Sequence, residues 1–206
     1  MIIDMHMHEM RYSGDSFLRL ENMVKIAKRR GLDGICITDH DSMGLKEFAA
    51  EYSEKTGFPI FVGIEFYSLQ GDIVAFGIED YPKERIPAQE FVDLVQAQGG
   101  MCFSAHPFRN NNRGLEENLK IVKGLDGIEV LNGSTLYEAN RKAAEYAAEL
   151  GLATVGSSDC HVPEKLGIYA TYFPREIRSV QELIRSVKRC ETLPVYYKEG
   201  GYYLWD

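Results

Sequence analysis

Short runs rich in β-branched residues alternate with longer stretches of helical period along the whole chain, and this alternation restricts the fold more than any other feature. It is the pattern of βα units around a largely parallel sheet, because parallel neighbours need a crossover long enough to hold a helix. Strands are predicted at Ile2 to Met5, Gly34 to Thr38, Pro59 to Ile64, Ile73 to Phe76, Met101 to Ala105, Gly127 to Leu131, Ala153 to Gly156 and Ile168 to Phe173. Helical period covers Phe17 to Arg30, Gly44 to Lys55, Ala88 to Ala97, Leu115 to Val122, Leu136 to Leu150 and Val180 to Val187. In the first helix Leu18, Leu20, Val24 and Ile26 supply much of the apolar face, and Gly31 stops it. The strands Pro59 to Ile64 and Ile73 to Phe76, with turn residues Gly71 and Asp72 but no helix between them, interrupt the rhythm. Six or seven such steps suffice to close a barrel, so a compact α/β barrel, incomplete beside the usual eightfold one, is expected.

The 206 residues are enough for one sizeable core, and no polar stretch or internal repeat divides them, so a single domain over 1–206 is expected. The tail beyond residue 161 adds a strand, a helix and a Tyr-rich pair of runs around Glu199-Gly200-Gly201. Those runs, with Tyr196, Tyr197, Tyr202 and Tyr203, predict an amphipathic hairpin packed on the barrel. No apolar run is long enough to span a bilayer, and Met1-Ile2-Ile3 enters a strand without a basic leader, so no membrane partner and a cytoplasmic location are expected. Cys36, Cys102, Cys160 and Cys190 are scattered and read as reduced thiols. A formal net charge of -8 makes duplex nucleic acid a less favoured partner than a small substrate. Bound cations would cancel part of that charge.

The chain has only five histidines, His6, His8, His40, His106 and His161, and each follows the end of a predicted strand. In parallel α/β folds the loops at the carboxyl ends of strands open on one face, so residues distant in sequence converge there. In Asp4-Met5-His6-Met7-His8 the period of two points both imidazoles to one side and both methionines to the other. In Thr38-Asp39-His40-Asp41 a carboxylate beside an imidazole fixes its tautomer or shares its ion, although such a tripeptide is also a common helix cap or solvated turn. Glu65, just past a strand, has two oxygens with which to bridge two cations, and is otherwise an exposed acid. His106 in Ser104-Ala105-His106-Pro107 and the pair Asp159 and His161 in Gly156-Ser157-Ser158-Asp159-Cys160-His161 complete the set, with a polar turn and an N-cap cluster as their plainer readings. Imidazole and carboxylate without cysteine suit zinc, manganese or iron.

The ordered motifs Asp-x-His-x-His, Thr-Asp-His-Asp, Gly-Ile-Glu, Ala-His-Pro and Ser-Asp-x-His, running from Met1 to about His161, resemble the PHP superfamily, the polymerase and histidinol phosphatase domain of metal-dependent phosphoesterases. The resemblance implies a distorted (β/α)7 barrel with two or three divalent metal ions at the carboxyl ends of its strands. Carried over by motif, His6, His8, Glu65 and Asp159 hold a first ion, Glu65 and His106 a second, and His40 and His161 a third with help from Asp15. The chain departs from many trinuclear members in having no histidine between Glu65 and His106, so Asp72 or another acid would substitute or fewer ions would bind. Cys160, inside the last motif, is expected to face the core.

These readings lead to a stand-alone phosphoesterase acting on a small phosphorylated metabolite or nucleotide through a metal-activated hydroxide. Asp39 or Asp41 would orient water or a ligand, and Arg109 and Arg113, just beyond His106, would contact phosphate, with a solvated loop as their alternative. Two rivals remain at this stage. One is an amidohydrolase-like metallohydrolase, which often bridges its metals with a lysine, and the other is a polymerase-type PHP exonuclease or scaffold module. The sequence leaves the natural substrate and the oligomeric state open.

Overall fold

The alternating apolar runs do form strands, but they pair into two sheets. In the computed structural model, which describes residues 1–205, the order is β1 (Ile2–Asp4), α1 (Leu20–Arg30), β2 (Gly34–Ile37), α2 (Lys46–Thr56), β3 (Ile60–Val62), β4 (Ile64–Tyr67), β5 (Asp72–Phe76), α3 (Ala88–Ala97) and β6 (Met101–Ser104). A 3-10 turn (Glu116–Lys120), β7 (Gly127–Asn132), α4 (Tyr137–Leu150), β8 (Ala153–Ser157), β9 (Tyr169–Tyr172), α5 (Val180–Lys188), β10 (Leu193–Lys198) and β11 (Gly201–Leu204) follow. One sheet has the order β11-β10-β9-β1-β2-β3 and the other β4-β5-β6-β7-β8. The pairs β1 with β2, β2 with β3, β6 with β7 and β7 with β8 are parallel. The other five are antiparallel, so the largely parallel sheet expected from the alternation is in fact mixed. Of these, β4 with β5 has no helix between its strands, β5 with β6 encloses α3, and the other three involve the tail strands β9 to β11.

Gly63 explains why there are two sheets. A Cβ at this position would stand 2.4 Å from the Ala75 carbonyl oxygen and 2.7 Å from the Phe76 ring. The backbone passes β5 at a distance only glycine allows, and there the single apolar run Pro59 to Ile64 splits into β3 of one sheet and β4 of the other. Glu65 therefore lies inside β4, opposite Val74, and not just past a strand end as expected. The sheets meet through the isolated parallel bridges His40 with Glu65 and Met7 with Cys160. The architecture is a mixed α/β fold in two sheets joined at bridges, without one continuous closed ladder among the described residues.

Two local expectations change. Helix α1 starts at Leu20, not Phe17, and its buried face is Leu20, Met23, Val24 and Ala27, with Ile26 only half-buried. The Leu115 to Val122 stretch forms only the short 3-10 turn, where the Asn118 side chain donates to the Leu115 carbonyl at 2.9 Å and competes with regular helix. The Tyr-rich hairpin packs Tyr196 and Tyr202 against the core, and it also extends the sheet edge, β10 pairing with β9 and β11 with β10. All four cysteines are free, and Cys160 is buried in the core as expected. No helix among the described residues is long and apolar enough to cross a membrane.

Helix α3 buries Ala88, Phe91, Val92 and Val95, one face at the spacing of successive turns. Its Phe91 ring stacks on Phe66 of β4 with centroids 4.1 Å apart, which ties the helix to the strand carrying Glu65. Phe91→Ala should destabilise the protein by about 3–5 kcal/mol in denaturant unfolding. A loss below about 1 kcal/mol would mean that the helix does not anchor this sheet.

Candidate metal centre

The extended chain after β1 points His6 and His8 to one side, with their Nε2 atoms 3.0 Å apart. Met5 and Met7 are buried on the other side, as the period of two required. His40, His106, Asp159 and His161 come from the loops after β2, β6 and β8. The five imidazoles form one continuous group: His6 lies against His8 and His106, and His8 against His40 and His161, with ring centroids 4.1 to 5.8 Å apart. The backbone is bent sharply to present them, since Asp41, His106 and Asp159 have φ of 49°, 28° and 48°. Each such left-handed residue costs on the order of 1 kcal/mol or more, a strain typical of functional loops.

Glu65 stands at the middle of the group. Its Oε1 is 2.9 Å from His106 Nε2 and 3.3 Å from His6 Nε2, and its Oε2 is 2.8 Å from His40 Nδ1 and 3.5 Å from His8 Nε2. Burial opposes ionisation of this carboxyl, but His6, His106 and His40 hold it well below the usual carboxylate range. Asp159 Oδ1 lies 3.6 Å from His6 Nε2 and 3.3 Å from His8 Nε2. Asp15 Oδ2 is 3.3 Å from both His40 Nε2 and His161 Nε2. Asp72 Oδ2 is 3.7 Å from His106 Nε2, and burial together with Glu65 pushes its pKa up to about 6.

The ligand atoms of His6, His8 and Asp159, of His8, His40 and His161, and of Glu65, Asp72 and His106 each fall within 4.8 Å of one another. Two observations test whether ions fit. Glu65 Oε2, His40 Nδ1 and His106 Nδ1 are buried with no hydrogen-bond partner of proper geometry, a costly state for polar atoms unless a cation is nearby. The second observation is the His6 and His8 pair. The Glu129 carboxylate accepts from His6 Nδ1 at 3.1 Å, and Ser13 Oγ accepts from His8 Nδ1 at 3.1 Å while donating to Asp39 Oδ1 at 2.9 Å. Both Nδ1 atoms are thus committed, and the two Nε2 lone pairs face each other. A positive charge between them, a proton or a metal ion, is required, and the donor set fits an ion.

Sequence reasoning missed the supports of this arrangement. Glu129, fully buried in β7, accepts from His6 Nδ1 and Ser157 Oγ on one oxygen, and from the His106 amide at 2.7 Å and Asn132 Nδ2 at 2.9 Å on the other. A charge within the otherwise apolar run Gly127-Ile128-Glu129-Val130-Leu131 was the available signal. Asp72 opens β5, which runs antiparallel to β4 and β6, so the start of that strand reaches the end of the fold where its neighbours finish.

A cavity of about 150 Å³ opens on the group, lined in part by Asp15, His40, Glu65, Asp72, Arg109 and Arg113. Arg109 is held by Asp159, by Asn132 Oδ1 at 2.8 Å and by Thr135 Oγ1 at 3.3 Å, and Arg113 is paired with Asp72. Both arginines are therefore anchored at the cavity wall, not solvated in a loop. Asp39 and Asp41 do not line the cavity. Asp39 is linked to the histidines through Ser13, which accepts from His8 Nδ1 and from the His40 amide, and Asp41 Oδ1 accepts from the Tyr67 amide at 2.9 Å. A larger cavity of about 590 Å³, lined by Met1, Pro59 and Ile177 among others, contains none of these ligands.

Fold and site together define a class: mixed α/β proteins that gather histidines and carboxylates from strand ends into a cluster able to hold metal ions. The family described as PHP-associated matches residues 137–192. An uncharacterised protein of Methanocaldococcus jannaschii is 29% identical over 140 residues, 63% of this chain and 80% of that protein. A Caldicellulosiruptor saccharolyticus protein named probable phosphatase is 24% identical over 209 residues, 97% of this chain and 78% of its own length. Among solved structures, a candidate metal-dependent phosphoesterase of Bifidobacterium adolescentis superposes with a TM-score of 0.69 at 19% identity, over 91% of this chain and 96% of that one. An amidohydrolase of Chromobacterium violaceum gives 0.69 at 20%, over 96% and 98%. A lesion-specific endonuclease of Pyrococcus furiosus gives 0.71 at 17%, over 98% of this chain and 57% of that one. These likenesses agree with the resemblance of the motif order to the PHP superfamily, and the structural ones show a shared fold.

Proposed function

We propose that this protein is a metal-dependent phosphoesterase that hydrolyses a small phosphorylated metabolite or nucleotide. The observation that carries the reading is the position of Glu65, whose two oxygens reach His6 and His106 on one side and His8 and His40 on the other, beside a cavity walled by two arginines. In this reading the two sheets are the staves of a distorted (β/α)7 barrel. His6, His8, Glu65 and Asp159 would hold one ion and His40, His161 and Asp15 another, with zinc, manganese or iron matching the donors. Bound divalent ions supply Lewis acidity toward phosphoryl oxygens and make water acidic enough to ionise near neutral pH.

The chain's own residues do the rest. Arg109, fixed by Asn132 and Thr135, aims a guanidinium at the cavity where phosphoryl oxygens would lie. Asp39, through Ser13, holds the His8 ring with Nε2 toward the ions, so it orients a ligand without touching substrate. Asp41 fixes the β4 backbone two residues beyond Glu65. No lysine lines the cavity, which favours this reading over a lysine-bridged amidohydrolase. The likeness to an endonuclease keeps nucleic acid in view, while the net charge of -8 favours the smaller substrate.

The test compares p-nitrophenyl phosphate, a bis-ester, mononucleotides, a single-stranded oligonucleotide and a cyclic amide, with and without chelator. Turnover of monoesters that chelation abolishes and added metal restores is expected. Activity on the cyclic amide alone, or activity indifferent to chelation, would remove the proposal. Arg109→Ala should raise KM for the best monoester about tenfold, equivalent to ~1.4 kcal/mol. Unchanged kinetics would place Arg109 outside substrate contact.

A further inference from the structure

One carboxylate in the centre already has a cationic partner on both of its oxygens. Arg113 takes both oxygens of Asp72, donating from Nε to Oδ2 at 2.7 Å and from Nη2 to Oδ1 at 2.9 Å. The two residues are also joined through the backbone, where the Asp72 amide donates to the Arg113 carbonyl at 2.6 Å. The guanidinium lies over Tyr67, 4.3 Å from the ring centroid. Close approach of the two loops fixes the pair, since a Cβ at Gly71 would stand 2.6 Å from the Gly114 carbonyl carbon. Asp159 differs in the way that matters. One of its oxygens faces His6 and His8, and only the other is held by Arg109 and Asn132. Asp159 offers an ion an oxygen that no arginine holds, whereas both Asp72 oxygens already bind Arg113.

We infer that Arg113 stands in for one metal ion, so that the Glu65, Asp72 and His106 position is held by a guanidinium and the chain binds only two ions. The inference rests on the metal centre proposed above and narrows its ion count. No histidine lies between Glu65 and His106, so this position offers a single imidazole and two acids. Two acids with little imidazole suit a planar cation that forms paired hydrogen bonds to carboxylate. The guanidinium carries one positive charge where an ion carries two, and it borders the same cavity as His106 and Arg109.

Wild type, Arg113→Met and Asp72→Asn are each stripped with chelator, reloaded with excess Mn2+ and desalted. Ions per chain are then counted by elemental analysis, with circular dichroism to confirm folding. Two ions are expected in the wild type, three in Arg113→Met and two in Asp72→Asn. Three ions in the wild type, a count that falls by one in Asp72→Asn, or a folded Arg113→Met that stays at two overturns the inference and leaves the metal centre standing. If Arg113→Met does not fold, the other two proteins decide. A wild type that binds no ion overturns the centre and this inference together.

Discussion

Glu65→Gln should lower kcat/KM for the best phosphomonoester by on the order of 10³-fold, about 4 kcal/mol of lost transition-state stabilisation. The substitution keeps shape but removes the charge that lies within 3.5 Å of four imidazoles, His6, His8, His40 and His106. An amide also presents a donor where two of those rings need an acceptor or a shared cation. Elemental analysis should show at least one ion fewer per chain, with circular dichroism unchanged. A Glu65→Gln protein within tenfold of wild type, or with its full metal content, would show that the central carboxylate does not link the ions.

Glu129→Gln should weaken Mn2+ binding about 10- to 100-fold, although Glu129 contacts none of the proposed ions. Its carboxylate accepts from four donors, His6 Nδ1, Ser157 Oγ, the His106 amide and Asn132 Nδ2, and a carboxylate has about four lone-pair sites. Glutamine can accept on one end only, so its NH2 group meets two donors at close range wherever it turns. His6 and His106 lose their shared anchor, and buried donors without partners cost about 1–3 kcal/mol each. Calorimetric Mn2+ titration and thermal unfolding should therefore both move. Lower stability with unchanged affinity would make Glu129 a purely structural acid.

Much of this could be read in the amino-acid order because local geometry decides it. A period of two is enough to send His6 and His8 one way and Met5 and Met7 the other. Loops after the strands β2, β6 and β8 were enough to bring His40, His106 and His161 to the same end. Asp15, chosen only as a residue near the first strand, does lie between His40 and His161. Where the reading failed, a distant contact had overruled a local pattern. Pro59 to Ile64 reads as one strand, and only the closeness of Ala75 and Phe76 to Gly63 divides it between two sheets and moves Glu65 into β4. Arg113 reads as a loop arginine awaiting phosphate, and only the fold sets it on Asp72, 41 positions away in the chain.

The sequence by itself determined which imidazoles and acids the chain owns, and that each histidine follows a strand whose end can present it. Tertiary structure alone decided how the acids divide their work, with Glu65 among four rings, Glu129 beneath two of them and Asp72 closed by an arginine. The reason is that side-chain direction is set within a few residues by backbone period. A buried carboxylate's role is set by whichever donors the folded chain brings within about 3 Å of it.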